Sequence, residues 1–187
     1  MAYGVVLVGT YIIRYPHEKR NKANQITNNQ KAPLEMALVG FVFLGMMVLP
    51  VLYLFTSLFA FANFSLPLWA NVLGLFLILP TLWLFYRSHK DLGRNWSVSL
   101  EIRDGHHIID TGVYRLVRHP MYSAIWLWCI VQFLLLNNYI AGFSGMLAFG
   151  LLYFIRVPKE EAMLKEEFGA DYLDYMSKTK RIIPYLL

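Results

Sequence analysis

Apolar residues run through the chain in long stretches that short polar segments interrupt. Five such stretches stand out, at residues 1–13, 34–62, 66–86, 121–136 and 139–155. The second contains a single charged residue, Glu35, near its start, and the other four contain none. Because roughly 20 helical residues cross a bilayer core of about 30 Å, the second and third stretches are long enough to span a membrane. The other three are at or below that limit, which suits a tight hairpin or a locally thinned bilayer.

The pattern predicts an all-α integral membrane protein with about five transmembrane helices. The first stretch is short, but no basic residue precedes it and no small-residue cleavage site follows it, so we expect a mature helix and not a signal peptide. A chain of 187 residues is long enough for one domain. We therefore predict a single membrane domain over residues 1–187, with three N-terminal membrane helices in residues 1–88 and a second half in residues 89–187.

Composition supports the membrane assignment. Hydrophobic residues make up 57% of the chain and charged residues 16%. Counting Gly in place of Tyr leaves the hydrophobic share unchanged, because the chain contains 12 of each. Soluble domains average about 45–50% hydrophobic and 25% charged residues on that count. These values argue against a disordered chain and against an ordinary soluble enzyme, and the single cysteine, Cys129, excludes an internal disulfide framework.

The positions of the basic residues predict the orientation of the chain. All 17 Lys and Arg fall in three segments, at residues 14–31, 87–118 and 156–181. The connections around Asn63 and at residues 137–138 contain none. With five spans the three basic segments lie on the same side, which the positive-inside rule assigns to the cytoplasm. The net charge of +5 therefore indicates topology, with the N-terminus outside, and not nucleic-acid binding.

Two cytoplasmic regions carry enough polar residues for chemistry, the loop 89–119 and the tail from residue 156. In the tail, apolar residues alternate with acids and bases at helical spacing, and Gly169 is expected to break it into two short helices. Without further information, an amphipathic tail that lies on the membrane surface accounts for this pattern.

The sequence Arg118-His119-Pro120 marks the start of the fourth membrane helix. Pro is favoured at the first helical position, where its missing N–H costs nothing. A helix N-terminus presents free N–H groups and a positive dipole end to an anion, and Arg118 and His119 add donors there. The alternative is an interfacial Arg with a snorkelling head group beside a Pro that starts a helix.

A second polar group follows the fifth apolar stretch. Arg156 and Glu160 are four residues apart, so they share a helix face if the helix continues through Pro158. The alternative is an i,i+4 salt bridge worth a few tenths of a kcal/mol. A tight hairpin brings two polar groups to the same membrane level: the basic start of one helix, and an Arg followed by paired acids, Glu160 and Glu161, at the end of the next. Their combination favours a functional site.

These segments resemble the isoprenylcysteine carboxyl methyltransferase family. The resemblance lies in GVYRLVRHPMY (112–122), RVPKEE (156–161) and FGADYLDY (168–175), after LGRNWS and LEIRDGHHIIDTGVY in the same order. It runs from about residue 89 to 184, and the layout is similar to the short prokaryotic members. The family comprises integral membrane enzymes that use S-adenosylmethionine, and the wider group includes phospholipid N-methyltransferases.

The resemblance implies a cytoplasmic cofactor pocket formed by the last two membrane helices, the 89–119 loop and an amphipathic C-terminal helix. The cofactor-binding residues it implies are Glu101, His106, His107, Ile108, Ile109, Tyr114, His119, Pro120, Met121, Tyr122 and Glu160. Arg156 is implied to face the substrate and to act in catalysis, with Arg118 as a second catalytic arginine. Glu160 suits an ammonium or a ribose hydroxyl, and His119 with the helix end suits a carboxylate.

The implied reaction transfers a methyl group to the carboxylate of an isoprenylated, lipophilic substrate that enters from the bilayer. A carboxylate needs no general base, so the enzyme has to align it and exclude water. Tyr122 and Trp126 are candidate walls for adenine and the sulfonium, although Trp126 is also explained by ordinary packing or lipid contact. The chain shows no glycine-rich turn of soluble methyltransferases, and its His residues do not predict a metal site.

Three alternatives stay open at the level of sequence. Transfer to a phospholipid amine or a small thiol would require a base or a thiolate. Sterol reductases share the helical hairpin architecture and use NADPH, but they are usually larger, and no site for the extra phosphate of that cofactor is visible. A membrane scaffold without activity would leave the paired polar groups at the two helix ends without a purpose.

Overall fold

The computed structural model describes residues 2–21, 26–29, 33–93, 101–103 and 107–186. Its α-helices and strands are α1 (Ala2–Asn21), β1 (Ile26–Asn29), α2 (Pro33–Phe43), α3 (Leu49–Phe55), α4 (Leu68–Leu92), β2 (Glu101–Arg103), α5 (Pro120–Leu136) and α6 (Tyr139–Lys178). A π-helical segment (Leu44–Val48) joins α2 to α3, and two short 3₁₀-helices span Ala60–Ala62 and Gly112–Arg115. The predicted α-helical membrane class is confirmed. The described residues add a two-stranded antiparallel sheet, in which β1 pairs with β2 and thereby joins the first two basic segments.

Three helical spans are long and apolar enough to cross a membrane, namely Pro33–Phe55, Leu68–Leu92 and Tyr139–Lys178. The helix Pro120–Leu136 is apolar but shorter, and α1 is not among the three. Large apolar side chains on the outer surface of the spans, such as Phe55 and Phe154, are exposed, as expected of side chains that contact lipid. The chain is therefore an integral membrane protein, and the count of five transmembrane helices stays a prediction.

The central apolar core packs α2 against α5 and α6. Leu38, Cys129, Phe149, Leu152 and Val157 are buried together in this cluster. Since close contacts between long helices need facing apolar rows, the three apolar stretches at 34–62, 121–136 and 139–155 account for it. This core brings the start of α2, the start of α5 and the middle of α6 to the same end of the bundle.

A polar network inside the bundle fixes the register of α2 against α6. The π-helical segment turns the carbonyl of Gly45 towards α5 and α6, where it accepts hydrogen bonds from Gln132 Nε2 at 2.9 Å and Ser144 Oγ at 2.6 Å. A side chain at Gly45 would meet the Ser144 carbonyl oxygen at 2.6 Å, so only glycine permits this approach. Gln132 is fully buried and also lies 2.9 Å from the Tyr3 hydroxyl. Within a membrane such bonds replace those that water would supply.

The hairpin between α5 and α6 is tight. Asn137 adopts a left-handed conformation with φ 47°, and Asn138 caps α6 by accepting hydrogen bonds from the N–H groups of Ile140 and Ala141. The amide of Asn138 also donates to Asn63 Oδ1 at 2.8 Å. This connection places the opposite ends of α5 and α6 side by side at the other end of the bundle.

The helix α6 is longer than the apolar stretch that predicts it. It continues past Ile155, through Pro158, to Lys178, with non-helical φ and ψ angles only at Gly169. The break predicted at Gly169 is thus present, whereas Pro158 does not end the helix. Burial of Val157 and Met163 on either side of Pro158 offsets the backbone hydrogen bond that the proline lacks.

Candidate functional site

The C-terminal tail holds the start of α5 in place. His119 is the N-cap residue and Pro120 the first residue of α5, as the sequence predicts. The N–H of Arg118 donates to the carbonyl of Lys180 at 2.7 Å, and the N–H of His119 donates to the carbonyl of Arg181 at 2.9 Å. Val117 and Lys180 form a parallel bridge. Two segments more than 60 residues apart therefore build this helix entrance jointly.

Glu160, on α6, faces the first turn of α5. The hydroxyl of Tyr122 donates to Glu160 Oε2 at 2.5 Å, and His119 Nδ1 lies 3.8 Å from Glu160 Oε1. The Glu160 side chain is 25% exposed. Because 3.8 Å is beyond hydrogen-bond reach, the tyrosine makes the one short contact of this carboxylate among the described residues.

Glu161, the next residue, is enclosed by cations. Arg118 Nε and Nη2 each lie 3.2 Å from Glu161 Oε1, and Arg181 Nη2 donates to Oε2 at 2.7 Å. His119 Nε2 lies 3.3 Å from the same Oε1 atom. The hydrogen bonds to Glu161 raise the pKa of Arg181. The imidazole of His119 thus stands between two glutamates, with one nitrogen towards each.

Arg156 lies between acids of two helices. Its Nε atom is 3.9 Å from Glu160 Oε2, one helical turn along α6, and its Nη1 atom is 3.6 Å from Glu35 Oε1 on α2. The continuation of α6 through Pro158 places Arg156 and Glu160 on one face, so that condition of the prediction is fulfilled. The alternative interpretation, an i,i+4 salt bridge between Arg156 and Glu160, also fits, although its 3.9 Å distance is long for such a pair.

Tyr114 belongs to the 3₁₀-helix Gly112–Arg115, which Asp91 at the end of α4 fixes. Asp91 Oδ2 accepts from the N–H of Val113 at 3.0 Å. Gly112 has φ +59°, and a side chain there would overlap Asp91 Oδ2 at 2.1 Å. Tyr114 is buried, its hydroxyl donates to the carbonyl of Ser88 at 3.3 Å, and burial raises its pKa well above the ordinary value. Its hydroxyl is therefore neutral and directed at α4.

Aromatic rings line the apolar side of the site. The ring of Tyr122 lies 6.0 Å from Phe149 and 5.8 Å from Tyr153, and Trp126 lies 5.2 Å from Phe149. The indole N–H of Trp126 is buried and has no hydrogen-bond partner in the described part of the chain. These contacts fit the packing interpretation of Trp126, and the surface they form leads along Tyr153 to the exposed ring of Phe154, 5.3 Å away.

The structure brings together some of the predicted site residues. His119, Pro120, Tyr122, Glu160 and Arg156 meet at one end of the α5–α6 pair. Met121 is half-buried in the first turn of α5.

Other predicted residues lie elsewhere. Arg118 is directed at Glu161 and at the carbonyl of Met176, 3.3 Å away, so its predicted catalytic role stays a prediction. In the segment before Gly112, His107 is exposed, and Ile108 and Ile109 are half-buried. Glu101 lies in β2, and the contact predicted for its side chain falls outside what the structure describes. His106 lies outside the described residues.

Three charged residues near the site are not among the predicted site residues. Glu161 belongs to the pair of acids that follows Arg156, but the resemblance implies no role for it. Glu35 was available as the one charge in an apolar stretch, since ionisable residues in membrane helices usually face the bundle interior. Arg181 carried no signal, because its contact with Glu161 depends on how the tail returns to α5.

Comparison with known proteins gives the family. The sequence profile of the Isoprenylcysteine carboxyl methyltransferase (ICMT) family matches residues 72–166, about half of the chain. Protein-S-isoprenylcysteine O-methyltransferase B of Arabidopsis thaliana is 25% identical over 158 residues, which cover 83% of this chain and 80% of that protein. The human Protein-S-isoprenylcysteine O-methyltransferase is 30% identical over 120 residues, which cover 63% of this chain and 42% of the human protein.

A solved structure shares the fold. The chain superposes on a eukaryotic intramembrane Ras methyltransferase, an isoprenylcysteine carboxyl methyltransferase, with a TM-score of 0.54 at 23% identity. The superposition covers 85% of this chain and 55% of the solved one. At this identity the likeness concerns the fold alone. Together with the profile match across α4, α5 and most of α6, it leads to one conclusion: the chain belongs to the isoprenylcysteine carboxyl methyltransferase family of membrane enzymes.

Proposed function

We propose that the protein transfers a methyl group from S-adenosylmethionine to the C-terminal carboxylate of an isoprenylcysteine-like, lipophilic acceptor, on the cytoplasmic side of the membrane. The observation that carries this proposal is the meeting of His119, Tyr122, Glu160 and Arg156 at one end of the α5–α6 pair. Family membership supports the reaction class, and the relatives' printed names supply the acceptor class.

The residues at the start of α5 fit the polar groups of the cofactor. Glu160 is partly exposed, and a carboxylate has about four lone-pair positions, of which Tyr122 uses one. It can therefore accept a further hydrogen bond from an ammonium or a ribose hydroxyl. We assign the carboxylate of the cofactor to the first turn of α5 and to His119, whose Nδ1 atom lies 3.8 Å from Glu160 Oε1. When bound, S-adenosylmethionine supplies an electrophilic methyl group on a sulfonium.

Arg156 is the residue that we assign to the acceptor carboxylate. A carboxylate at neutral pH is already a nucleophile, so the protein has to align it and exclude water, and no base is needed. The planar guanidinium of Arg156 can bind both carboxylate oxygens and thereby fix the direction of one of them. The adjacent aromatic rings keep water from the apolar side of the site.

The lipophilic part of the acceptor reaches the site from the bilayer. The rings of Phe154, Tyr153 and Tyr122 form a continuous apolar path from the exposed surface of α6 to the carboxylate of Glu160. The three basic segments, which contain all Lys and Arg, support the cytoplasmic side, because the second ends just before His119 and the third begins at Arg156. A polar cofactor and a lipid acceptor would then meet at the membrane surface.

A methyl-transfer assay on purified protein in nanodiscs tests the proposal. Radiolabelled S-adenosylmethionine is offered with a prenylcysteine, with the same prenylcysteine as its carboxamide, with phosphatidylethanolamine and with a small thiol. We expect methylation of the prenylcysteine alone. The carboxamide is the matched control, because it keeps the lipid and removes the nucleophile. Transfer to the lipid amine or the thiol, with none to the prenylcysteine, would replace the proposed acceptor by one of the alternatives.

A further inference from the structure

Glu35 is a buried acid in the N-terminal half of the protein, which the proposed reaction leaves unused. It lies in the first turn of α2, and its side chain is 10% exposed. Glu35 Oε1 is 3.6 Å from Arg156 Nη1, whose side chain is 12% exposed. Charged residues at the end of an apolar span are costly unless they are paired, so this ion pair between α2 and α6 requires an explanation.

The two acids beside Arg156 contact different parts of its guanidinium group. Glu160 lies near Nε, and Glu35 lies near Nη1. Both N–O distances, 3.9 Å to Glu160 and 3.6 Å to Glu35, exceed hydrogen-bond reach, so the two carboxylates act on the guanidinium by charge attraction. Because they attract different nitrogens of a planar group, they favour one orientation of it more strongly than a single carboxylate would. Arg14 of α1 is also close enough to Arg156 for the two cations to repel each other.

The polar network in the middle of the bundle sets the level of Glu35. The Gly45 carbonyl accepts a hydrogen bond from Ser144, and the chain runs antiparallel in the two helices. The path back along α2 from Gly45 and the path forward along α6 from Ser144 therefore lead to the same end of the bundle. Glu35 is ten residues from Gly45, and Arg156 is twelve residues from Ser144. At 1.5 Å per helical residue these separations are about 15 Å and about 18 Å, so the two charges arrive at the same level.

We infer that Glu35 is a positioning residue, which orients the Arg156 guanidinium for the acceptor carboxylate and so connects the N-terminal helices to the reaction. This inference rests on the proposed function of Arg156. It assigns Glu35 no contact with substrate or cofactor. Because the hydrogen bond between Ser144 and the Gly45 carbonyl fixes the register of α2, that register also affects how the acceptor is aligned.

Glu35→Gln tests the inference, because it keeps size and shape and removes the charge. We expect kcat for the prenylcysteine to fall about tenfold, a fraction of the loss that full misalignment causes. Affinity for S-adenosylhomocysteine, measured by calorimetry, should be unchanged. Glu167→Gln, at an exposed acid on the same helix as Arg156, is the control and should have wild-type kcat. A wild-type kcat for Glu35→Gln would overturn the inference.

A double-mutant cycle separates positioning from a general structural effect. In an Arg156→Lys background, the further change Glu35→Gln should cost less than twofold, because the fork that Glu35 orients is already absent. Losses that multiply would show that Glu35 acts independently of Arg156 and would overturn the inference.

Thermal unfolding of the same four proteins tests the Glu35–Arg156 interaction by a measurement that does not depend on activity. A protein that methylates no carboxylate at all would refute the proposed function. If the Tm shifts of the two single variants do not add up to that of the double variant, Glu35 and Arg156 interact, and the orientation of Arg156 by Glu35 is supported even in a protein with another acceptor. Additive shifts in Tm would overturn the inference.

Discussion

Glu160 and Glu161 are neighbours in the chain and differ in almost every physical respect. The Glu161 side chain is 3% exposed and receives hydrogen bonds at 2.7–3.2 Å from two arginines. The Glu160 side chain is 25% exposed, and apart from the tyrosine bond its nearest polar neighbours, His119 and Arg156, stand 3.8 Å and 3.9 Å away. One acid is saturated by fixed partners, and the other keeps capacity for a further partner.

The difference follows from the helix on which they lie. Successive residues of an α-helix point about 100° apart, so Glu160 faces Tyr122 and Arg156 while Glu161 faces Arg118 and the returning tail. A fully paired buried acid stabilises an arrangement of chain segments, whereas a partly exposed one can exchange partners with a ligand. We therefore interpret Glu161 as the residue that holds the site together and Glu160 as the residue that binds the cofactor.

The largest effect is expected from Glu161→Gln. The change leaves Arg118, whose side chain is 8% exposed, without its anionic partner among the described residues. Loss of one partner of a buried pair costs about 3–5 kcal/mol, and we expect the lower end because Arg181 is 48% exposed. Chemical unfolding in detergent measures the loss. Glu167→Gln, with a change within about 0.5 kcal/mol, is the control. A Glu161→Gln protein as stable as the wild type would remove the distinction between the two acids.

The next effect concerns turnover. Arg156→Lys keeps the positive charge and loses the planar fork, so a carboxylate acceptor loses its fixed direction. We expect turnover on the prenylcysteine to fall about 100-fold, because small misplacements of a reacting group have effects of that size. Affinity for S-adenosylhomocysteine should stay at the wild-type value. Turnover near the wild-type rate would reduce Arg156 to a partner in an ordinary ion pair.

Glu160→Gln should show the opposite profile to Glu161→Gln. We expect the affinity for S-adenosylhomocysteine to fall about tenfold, which corresponds to about 1.4 kcal/mol, with stability within about 0.5 kcal/mol of the wild type. Calorimetric titration measures the first quantity and unfolding the second. His119→Ala should lower the affinity for S-adenosylhomocysteine by a similar factor. Unchanged affinity in both variants would exclude this pair of residues from the cofactor site.

The same contrast separates what the sequence predicts from what it does not. Residues 121–136 form a helix as predicted, and Pro120 starts it, because apolar length and the missing N–H of proline act locally. The face shared by Arg156 and Glu160 is likewise a matter of four residues of spacing. The nearness of Glu160 to Arg156 therefore follows from local spacing, whereas its contact with Tyr122, 38 residues away, is expected only from the family resemblance.

The surroundings of Glu161 and Glu35 depend on distant segments. Arg181 reaches Glu161 because the tail pairs with residues 117–119, and Glu35 meets Arg156 because Gly45 fixes the register of α2. Neither arrangement follows from hydrophobic periodicity. The sequence also does not decide whether α6 continues through Pro158. The cost of the proline is local, but the packing that offsets it involves residues far away in the chain.

The smallest effect is expected from Arg181→Gln, which sharpens the interpretation of Glu161. Arg181 is half exposed, so solvent screens its bond to Glu161 and the pair is worth less than about 1 kcal/mol. Arg118 still binds Glu161 Oε1 in this variant, so the acid keeps a partner. We expect a loss of stability below about 1 kcal/mol and wild-type turnover, measured in parallel with Arg118→Gln, which should lose several times more stability. Equal losses in the two variants would show that the tail, and not the buried Arg118, holds Glu161.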